Sequence, residues 1–376
     1  MANILILGGG FGGVIAAEEL SKALGGEHHM TLVSPDEKFT FYPALVHLAF
    51  GDCEPEDLTF DLAARLHELD VRFVKGEVIK INPEKKHVRV TGTDFSGEIS
   101  YDYLIIALGR RLATEKVKGF FEYSHHLLNV NSALDFGEEV RNFKNGRIVV
   151  GMSPRAFLPV PVCETALALA EKFQSEIADG RISVQIVFPE TIKKAFGGAD
   201  VTNELTQIFE KRGISVTTEF PVKEISKKQL KTWDGQTMSF DLLMLLPPFR
   251  GQSFLNPLGI SGDFDFIITD EGMRVPHFPG VYAIGDIVDF PGPKLAYMAI
   301  RQAKVAAANI ASEIKGEEPA GNYYHEIAAI IDAGNADSIY LHFGIWDHEL
   351  YRLKKGKIWS FVKNIHDKMW RAAHQP

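Results

Sequence analysis

Apolar positions along the chain fall into short, strand-length runs separated by stretches with the 3.6-residue rhythm of a helix. Strand runs occupy residues 3–7, 30–34, 71–74, 78–81, 87–90 and 103–108, with a helix over 14–24. A second unit begins with a strand at 147–151. It continues through a helix near 163–173, a strand at 182–188, a helix near 201–211 and a strand at 242–246. Pro247-Pro248 marks a break, and a last buried strand at 281–284 leads into a long helix over 295–310. The pattern predicts an α/β fold of two tandem Rossmann-like domains, the chain returning late to the first. The expected boundaries are 1–113 with 270–315 for the first domain, 114–269 for the second, and 316–376 for a C-terminal region with an amphipathic segment. No run approaches the roughly 18 apolar residues of a membrane-spanning helix.

Composition narrows the class. With 376 residues and 45% hydrophobic positions, the chain is an ordinary globular protein of two or three domains. The net charge of −9 hides an asymmetry: residues 351–376 hold seven Lys/Arg and one Asp, leaving 33 basic against 48 acidic residues elsewhere. So acidic a body excludes a general nucleic-acid binder. Cys53 and Cys163 are the two cysteines, which excludes a disulfide scaffold and a Cys-rich zinc site. The histidines form no ligand constellation, and no metal is expected. The opening run Ile4-Leu5-Ile6-Leu7 has no basic region before it and no cleavage site after it. No secretory signal is therefore read, and the cytoplasm or its membrane face is the expected address.

The first candidate chemistry is a glycine loop. Gly8-Gly9-Gly10-Phe11-Gly12-Gly13 matches G-x-G-x-x-G between a strand and a helix. Gly8 permits the tight turn, Gly10 lets the backbone approach a pyrophosphate, and Gly13 lets helix and strand pack closely. The helix N-terminus then stabilises the phosphate charge. The next strand ends at Ser34 where an acidic ribose partner is usual. Either the Ser34 hydroxyl bonds the ribose, or Asp36 does, or Ser34 merely ends the strand. In the second unit only Gly151 remains of such a loop, and Pro154 removes an N–H where a phosphate cradle wants one. A nicotinamide site there is read as lost.

Val281-Tyr282-Ala283-Ile284-Gly285-Asp286 resembles the second flavin signature of the two-dinucleotide-binding-domain flavoproteins, whose aspartate bonds the ribityl chain. Leu104-Ile105-Ile106-Ala107-Leu108-Gly109 resembles their central strand end. The resemblance implies FAD as cofactor, held by Gly8, Gly10, Phe11, Gly12, Gly13, Ser34, Val78, Ala107, Gly109, Gly285 and Asp286. More narrowly, the chain resembles sulfide:quinone oxidoreductases, the flavocytochrome c sulfide dehydrogenase flavoprotein and type II NADH dehydrogenases. The segments that carry this are Thr31 to Pro35 running into Phe41 to Ala49, Val160-Pro161-Val162-Cys163-Glu164, Gly285-Asp286 with Pro293-Lys294, and the aromatic tail. It implies that Pro43 lies near the flavin, Lys294 near the pyrimidine end of its ring, and that Cys163, Glu164 and Lys294 take part in catalysis. The sulfide oxidisers use three cysteines, and this sequence departs from them. Only Cys163 matches, with His126 and Ala329 near the other two places. Cys163 is expected in the first turn of a helix, its thiolate stabilised there, with Glu164 as a proton acceptor.

In the tail, helical placement of residues 358–371 gathers Ile358, Phe361, Val362, Ile365 and Met369 on one face. Trp359 and Trp370 border that face, and Lys363, Asp367, Lys368 and Arg371 lie opposite. Such a helix, roughly 21 Å long, suits the membrane interface, with tryptophans at headgroup depth and basic residues on anionic lipid. The alternative is packing on the body or on a second subunit of a homo-oligomer. The leading expectation is a peripheral membrane flavoenzyme passing electrons from a small reduced donor, sulfide or another sulfur species, through FAD to quinone. A type II NADH:quinone oxidoreductase and a non-catalytic flavoprotein subunit are the alternatives.

Overall fold

The computed structural model describes residues 1–93, 95–334 and 337–374. Along the chain come β1 (Asn3–Leu7), α1 (Phe11–Leu24), β2 (His29–Ser34), β3 (Val71–Lys75) and β4 (Tyr103–Ile106). The next unit contributes β5 (Gly146–Met152), α2 (Pro159–Lys172), β6 (Ile182–Val187), β7 (Ile214–Thr217) and β8 (Leu242–Leu246). The chain then supplies β9 (Val281–Ala283), α3 (Ala296–Lys315), β10 (Glu326–Ile331), β11 (Ile339–Gly344), β12 (Tyr351–Lys355) and α4 (Lys357–His374).

The first sheet has the order β9-β4-β1-β2-β3, all parallel, with Leu5 opposite Thr31 on one side and Leu104 on the other. Helices cover both faces of such a sheet, so its strands read as unbroken apolar runs; Leu104, Ile105 and Ile106 are completely buried. Helices α1 and α3 pack on each other, and both carry buried small residues, Ala16 and Ala17 on one and Ala303, Ala306 and Ala307 on the other. The second sheet is also parallel, in the order β7-β6-β5-β8. Three-stranded antiparallel sheets at Glu77–Asn82, His87–Thr91 and Gly97–Ser100, and at Val222–Ser226, Gln229–Thr232 and Thr237–Ser239, branch from the two units. After Pro247-Pro248 the chain makes a two-residue strand, Phe249–Arg250, antiparallel to Arg111–Leu112, where the chain first leaves β4.

Helix α1 begins at Phe11 rather than residue 14, because Gly12 and Gly13 already lie within its first turn. The antiparallel sheet β10-β11-β12 was not anticipated. It packs against α2 and α3 and carries α4 at its end.

Candidate flavin crevice and the Cys163 helix

The C-terminal ends of β1, β4 and β9 are neighbours, so the glycine loop, residues 107–110 and Gly285-Asp286 converge on one crevice, the place where open parallel sheets bind nucleotides. Gly8 adopts φ 110°, and a Cβ there would lie 2.2 Å from the Ala107 carbonyl oxygen. A Cβ on Gly13 would lie 1.9 Å from the Gly8 oxygen. Both glycines are demanded by the protein itself. Gly10 differs, since a Cβ there meets nothing within 4 Å. It caps α1, whose first N–H groups have no intrahelical acceptor, and leaves a cradle open to a diphosphate.

The other expected contacts surround this cradle. Phe11 and Gly12 are buried in the first turn of α1, and Gly12 faces Ile284. Ser34 is buried beside Gly9, and its hydroxyl accepts the Asp36 N–H at 3.3 Å. Val78 is buried at the start of its antiparallel strand, just beyond Gly76, whose N–H donates to the Ser34 carbonyl. Gly109, at φ 64°, has open space around it. The Gly285 N–H donates to Gln302 Oε1 of α3 at 2.6 Å. Asp286 is buried and ion-paired with Arg110, a residue not singled out from the sequence. Pro43 lies in a single 3-10 turn, Tyr42–Ala44. The Phe11 ring stands 5.0 Å from that of Tyr42 and 5.6 Å from that of Phe41.

Lys294 is buried ahead of α3. Its ammonium donates to the carbonyls of Val288 and Phe290 and lies 4.7 Å from the Phe266 ring. Burial, with Arg110 nearby, pulls this amine down to about 7, against the pull of Asp289. The Lys294 backbone N–H donates to the carbonyl of Phe157, which ties the crevice to the loop after β5.

In that loop Arg155 and Phe157 hold positive φ values of 68° and 48°, a strained backbone for side chains of this size. Arg155 lies over the ring of Phe264, itself at φ 61°. Glu190, after β6, pairs with Lys194 at 2.8 Å.

Cys163 lies in the second turn of α2, not the first as anticipated. Proline is tolerated where helix N–H groups have no partner, so the helix starts at Pro159 and Pro161 falls in its opening turn. Cys163 is fully buried, and burial together with Glu164 pushes its thiol up, opposite to the expected lowering. Glu164 is buried and is not free: it accepts from Lys363 of α4 and from the Asp332 N–H at 2.8 Å. Burial works against the charge of Lys363, yet Glu164, with Asp367 and Asp332 beyond, holds it above the ordinary lysine range. β10, carrying Ala329, packs on α2. His126 stacks on Phe120 and reaches Ser132, and burial lowers its basicity.

Helix α4 corrects the reading of the tail in its tryptophans and its Lys363 and Asp367, not in its apolar stripe. Its apolar stripe points outward, with Ile358 61%, Phe361 62% and Met369 68% exposed, while Lys363 and Asp367 turn into the body. The tryptophans also face the protein rather than a headgroup layer. Trp370 packs about 5 Å from Phe11, Phe39 and Phe41, and Trp359 stacks on Tyr340 at 4.5 Å. Cys53 lines a groove of about 460 Å³ with His47, Phe361, Ile365 and Arg371, and burial pushes its thiol up to about 11. Among the described residues no helix is long and apolar enough to cross a membrane.

The sequence profile of pyridine nucleotide-disulphide oxidoreductases matches residues 2–303. The chain belongs to this family. It is an FAD-dependent oxidoreductase, and the open Gly10 cradle, the paired Asp286 and the α1 N-terminus fit that cofactor. Among curated proteins it is 24% identical to mouse mitochondrial sulfide:quinone oxidoreductase, over 85% of this chain and 73% of that one. The type II NADH:quinone oxidoreductase of Staphylococcus aureus is 21% identical over 97% of this chain and 94% of that one. The solved sulfide:quinone oxidoreductase of Aquifex aeolicus superposes with a TM-score of 0.90 at 23% identity, covering 99% of this chain and 91% of that one.

Proposed function

We propose that this member of the family is a membrane-associated enzyme that takes two electrons from sulfide or another small reduced sulfur species and delivers them to quinone. The observation that carries the reading is the two-sidedness of α4. Its apolar stripe faces outward, as a helix lying in a lipid interface requires, while its Lys363 reaches inward to Glu164 beside Cys163. The same protein thus offers a lipid-soluble acceptor a landing surface on the helix that is anchored beside Cys163. The donor assignment is supported by Cys163 and by a loop after β5 that lacks glycines beyond Gly151 and whose Arg155 is folded onto Phe264.

FAD, when bound, supplies the two-electron carrier between donor and acceptor. Gly10 and the first turn of α1 would hold its diphosphate, and Asp286 would bond its ribityl chain. Pro43 and Lys294 would lie near the flavin ring, and burial makes the Lys294 ammonium easier to deprotonate there. Glu164 and Lys363 form a buried ion pair that ties α4 to α2 beside Cys163, whose thiol would lie on the donor's side of the flavin. A second reading, NADH:quinone oxidoreduction, is favoured by the likeness to the Staphylococcus enzyme. Anaerobic stopped-flow mixing tests both. The proposal expects sulfide, not NADH, to bleach the flavin and a soluble quinone to restore its colour. Bleaching by NADH alone selects the second reading, and bleaching by neither rejects both.

A further inference from the structure

Arg110 is the residue of the crevice that neither the sequence motifs nor the proposed mechanism uses. It follows Gly109 at the end of β4, and its side chain is 12% exposed. The guanidinium pairs with Asp286 and lies 4.3 Å from the Phe249 ring and 5.8 Å from that of Tyr42. Its Nε is buried without a partner among the described residues. A guanidinium carries five N–H donors in a rigid fork, so one carboxylate and two ring faces leave donors unmet. Lys294 is a second buried basic group close by, and Arg110 disfavours its charged form. Asp286 is the acid facing Arg110, while Asp289 partly offsets the repulsion at Lys294. Like charges gathered in a desolvated crevice are costly unless a negative partner joins them. The elements around Arg110 are the ones assigned above to the flavin end of the cofactor: the Tyr42-Pro43 turn, Gly109, Gly285-Asp286 and Lys294.

We propose that Arg110 is a cofactor-binding residue that holds a fixed positive charge against the flavin ring and favours its anionic reduced form. The inference rests on FAD occupying this crevice. Two electrons from the donor and one proton leave a flavin with one negative charge. A cation held in place by Asp286 and two aromatic faces needs no reorganisation to stabilise that charge. The guanidinium thereby raises the two-electron potential of the flavin and keeps proton uptake at one per two electrons.

Anaerobic redox titration of the FAD-loaded full-length chain between pH 6 and 9 tests this, with the FAD dissociation constant measured separately by flavin fluorescence. Arg110→Gln is expected to lower the reduction equilibrium constant at least about tenfold, the effect of roughly one pKa unit of lost charge stabilisation. It should also steepen the pH dependence of the potential, as a second proton joins. Arg110→Lys should stay near the wild type, and Arg110→Met, which keeps the stem packed on Phe249, provides the neutral comparison if the glutamine variant does not fold. Three results overturn the proposal: neutral variants with the wild-type potential at every pH; weaker FAD binding with an unchanged potential, which assigns the guanidinium to the diphosphate; or a lysine variant as depressed as the neutral ones. A wild-type chain that takes up no FAD overturns the cofactor reading as well, and is recognised before any titration begins.

Discussion

Gly10→Val separates a glycine needed by the ligand from glycines needed by the fold. Gly10 has extended backbone angles, φ −85° and ψ −168°, which valine adopts readily, and its Cβ would meet no protein atom within 4 Å. In the cofactor-free protein the substitution is therefore expected to cost no more than about 1 kcal/mol, because valine is a poorer N-cap than glycine, with restriction of the unfolded chain acting in its favour. Gly13→Ala is the contrast. Its methyl would sit 1.9 Å from the Gly8 carbonyl oxygen, a backbone atom that cannot swing aside. The helix must move off the strand, at a cost of about 3 kcal/mol. In the holoenzyme the ranking reverses in kind, because a valine at residue 10 fills the space through which the diphosphate approaches the α1 N-terminus. At least hundredfold weaker FAD binding is expected, about 2.7 kcal/mol. Urea unfolding of the apoproteins followed by fluorescence titration with FAD measures both quantities. A Gly10→Val protein that binds FAD normally, or that unfolds as readily as Gly13→Ala, refutes the reasoning.

Further expectations follow from the buried charges and the tail. Lys363→Met strands the Glu164 carboxylate in the interior and should destabilise the protein by about 3–5 kcal/mol, most of it restored in the double variant with Glu164→Gln; a loss under 1 kcal/mol in thermal unfolding would mean the pair is wet. Lys294 has its pKa depressed to about 7 on folding, so the unfolded chain binds the extra proton between there and the ordinary lysine range. Apoprotein stability should rise with pH across that window, and Lys294→Met should flatten the rise in melts at pH 6 and 9. Cys163→Ser should slow sulfide-dependent bleaching of the flavin in stopped flow, and an unchanged rate would move the donor site elsewhere. Deleting residues 352–376 should release the protein from anionic vesicles in flotation assays. It should also weaken FAD retention, because Trp370 leaves the ring of Phe11.

How much of this was legible beforehand depended on whether a signal was local. The glycine loop and the parallel strands are written in contiguous residues: Gly13 is required by the Gly8 carbonyl within the same strand–turn–helix, although the Ala107 carbonyl that crowds Gly8 comes from a distant strand end, and the runs at β1 and β4 are apolar because both faces are covered. The sheet β10-β11-β12 was missed because residues such as His342 and Arg352 alternate weakly and stand on strands with one wet face. The tail was read as amphipathic with its apolar stripe outward, as found, but its tryptophans and Lys363 were expected at the lipid surface and instead face the body. Periodicity distinguishes two faces, but only a partner such as Glu164, nearly two hundred residues away, decides which one turns inward. Arg110 carried no signal at all, since a lone arginine after a glycine becomes informative only when Asp286 and Phe249 are brought to it. The glycine-poor loop after β5 was visible as a missing motif, whereas the strained backbone at Arg155 and Phe157 required coordinates.

Helix α4 holds the body at two separated points, through Lys363 to Glu164 beneath the second sheet and through Trp370 to Phe11 at the mouth of the first. A single rigid rod of 18 residues joins them. Any surface that immobilises the outer stripe of this rod restricts both anchor points together. By thermodynamic reciprocity, whatever such a surface does to the affinity for FAD, FAD must do with equal free energy to how tightly the rod holds to that surface. Cofactor affinity and adhesion become two readings of one coupling energy.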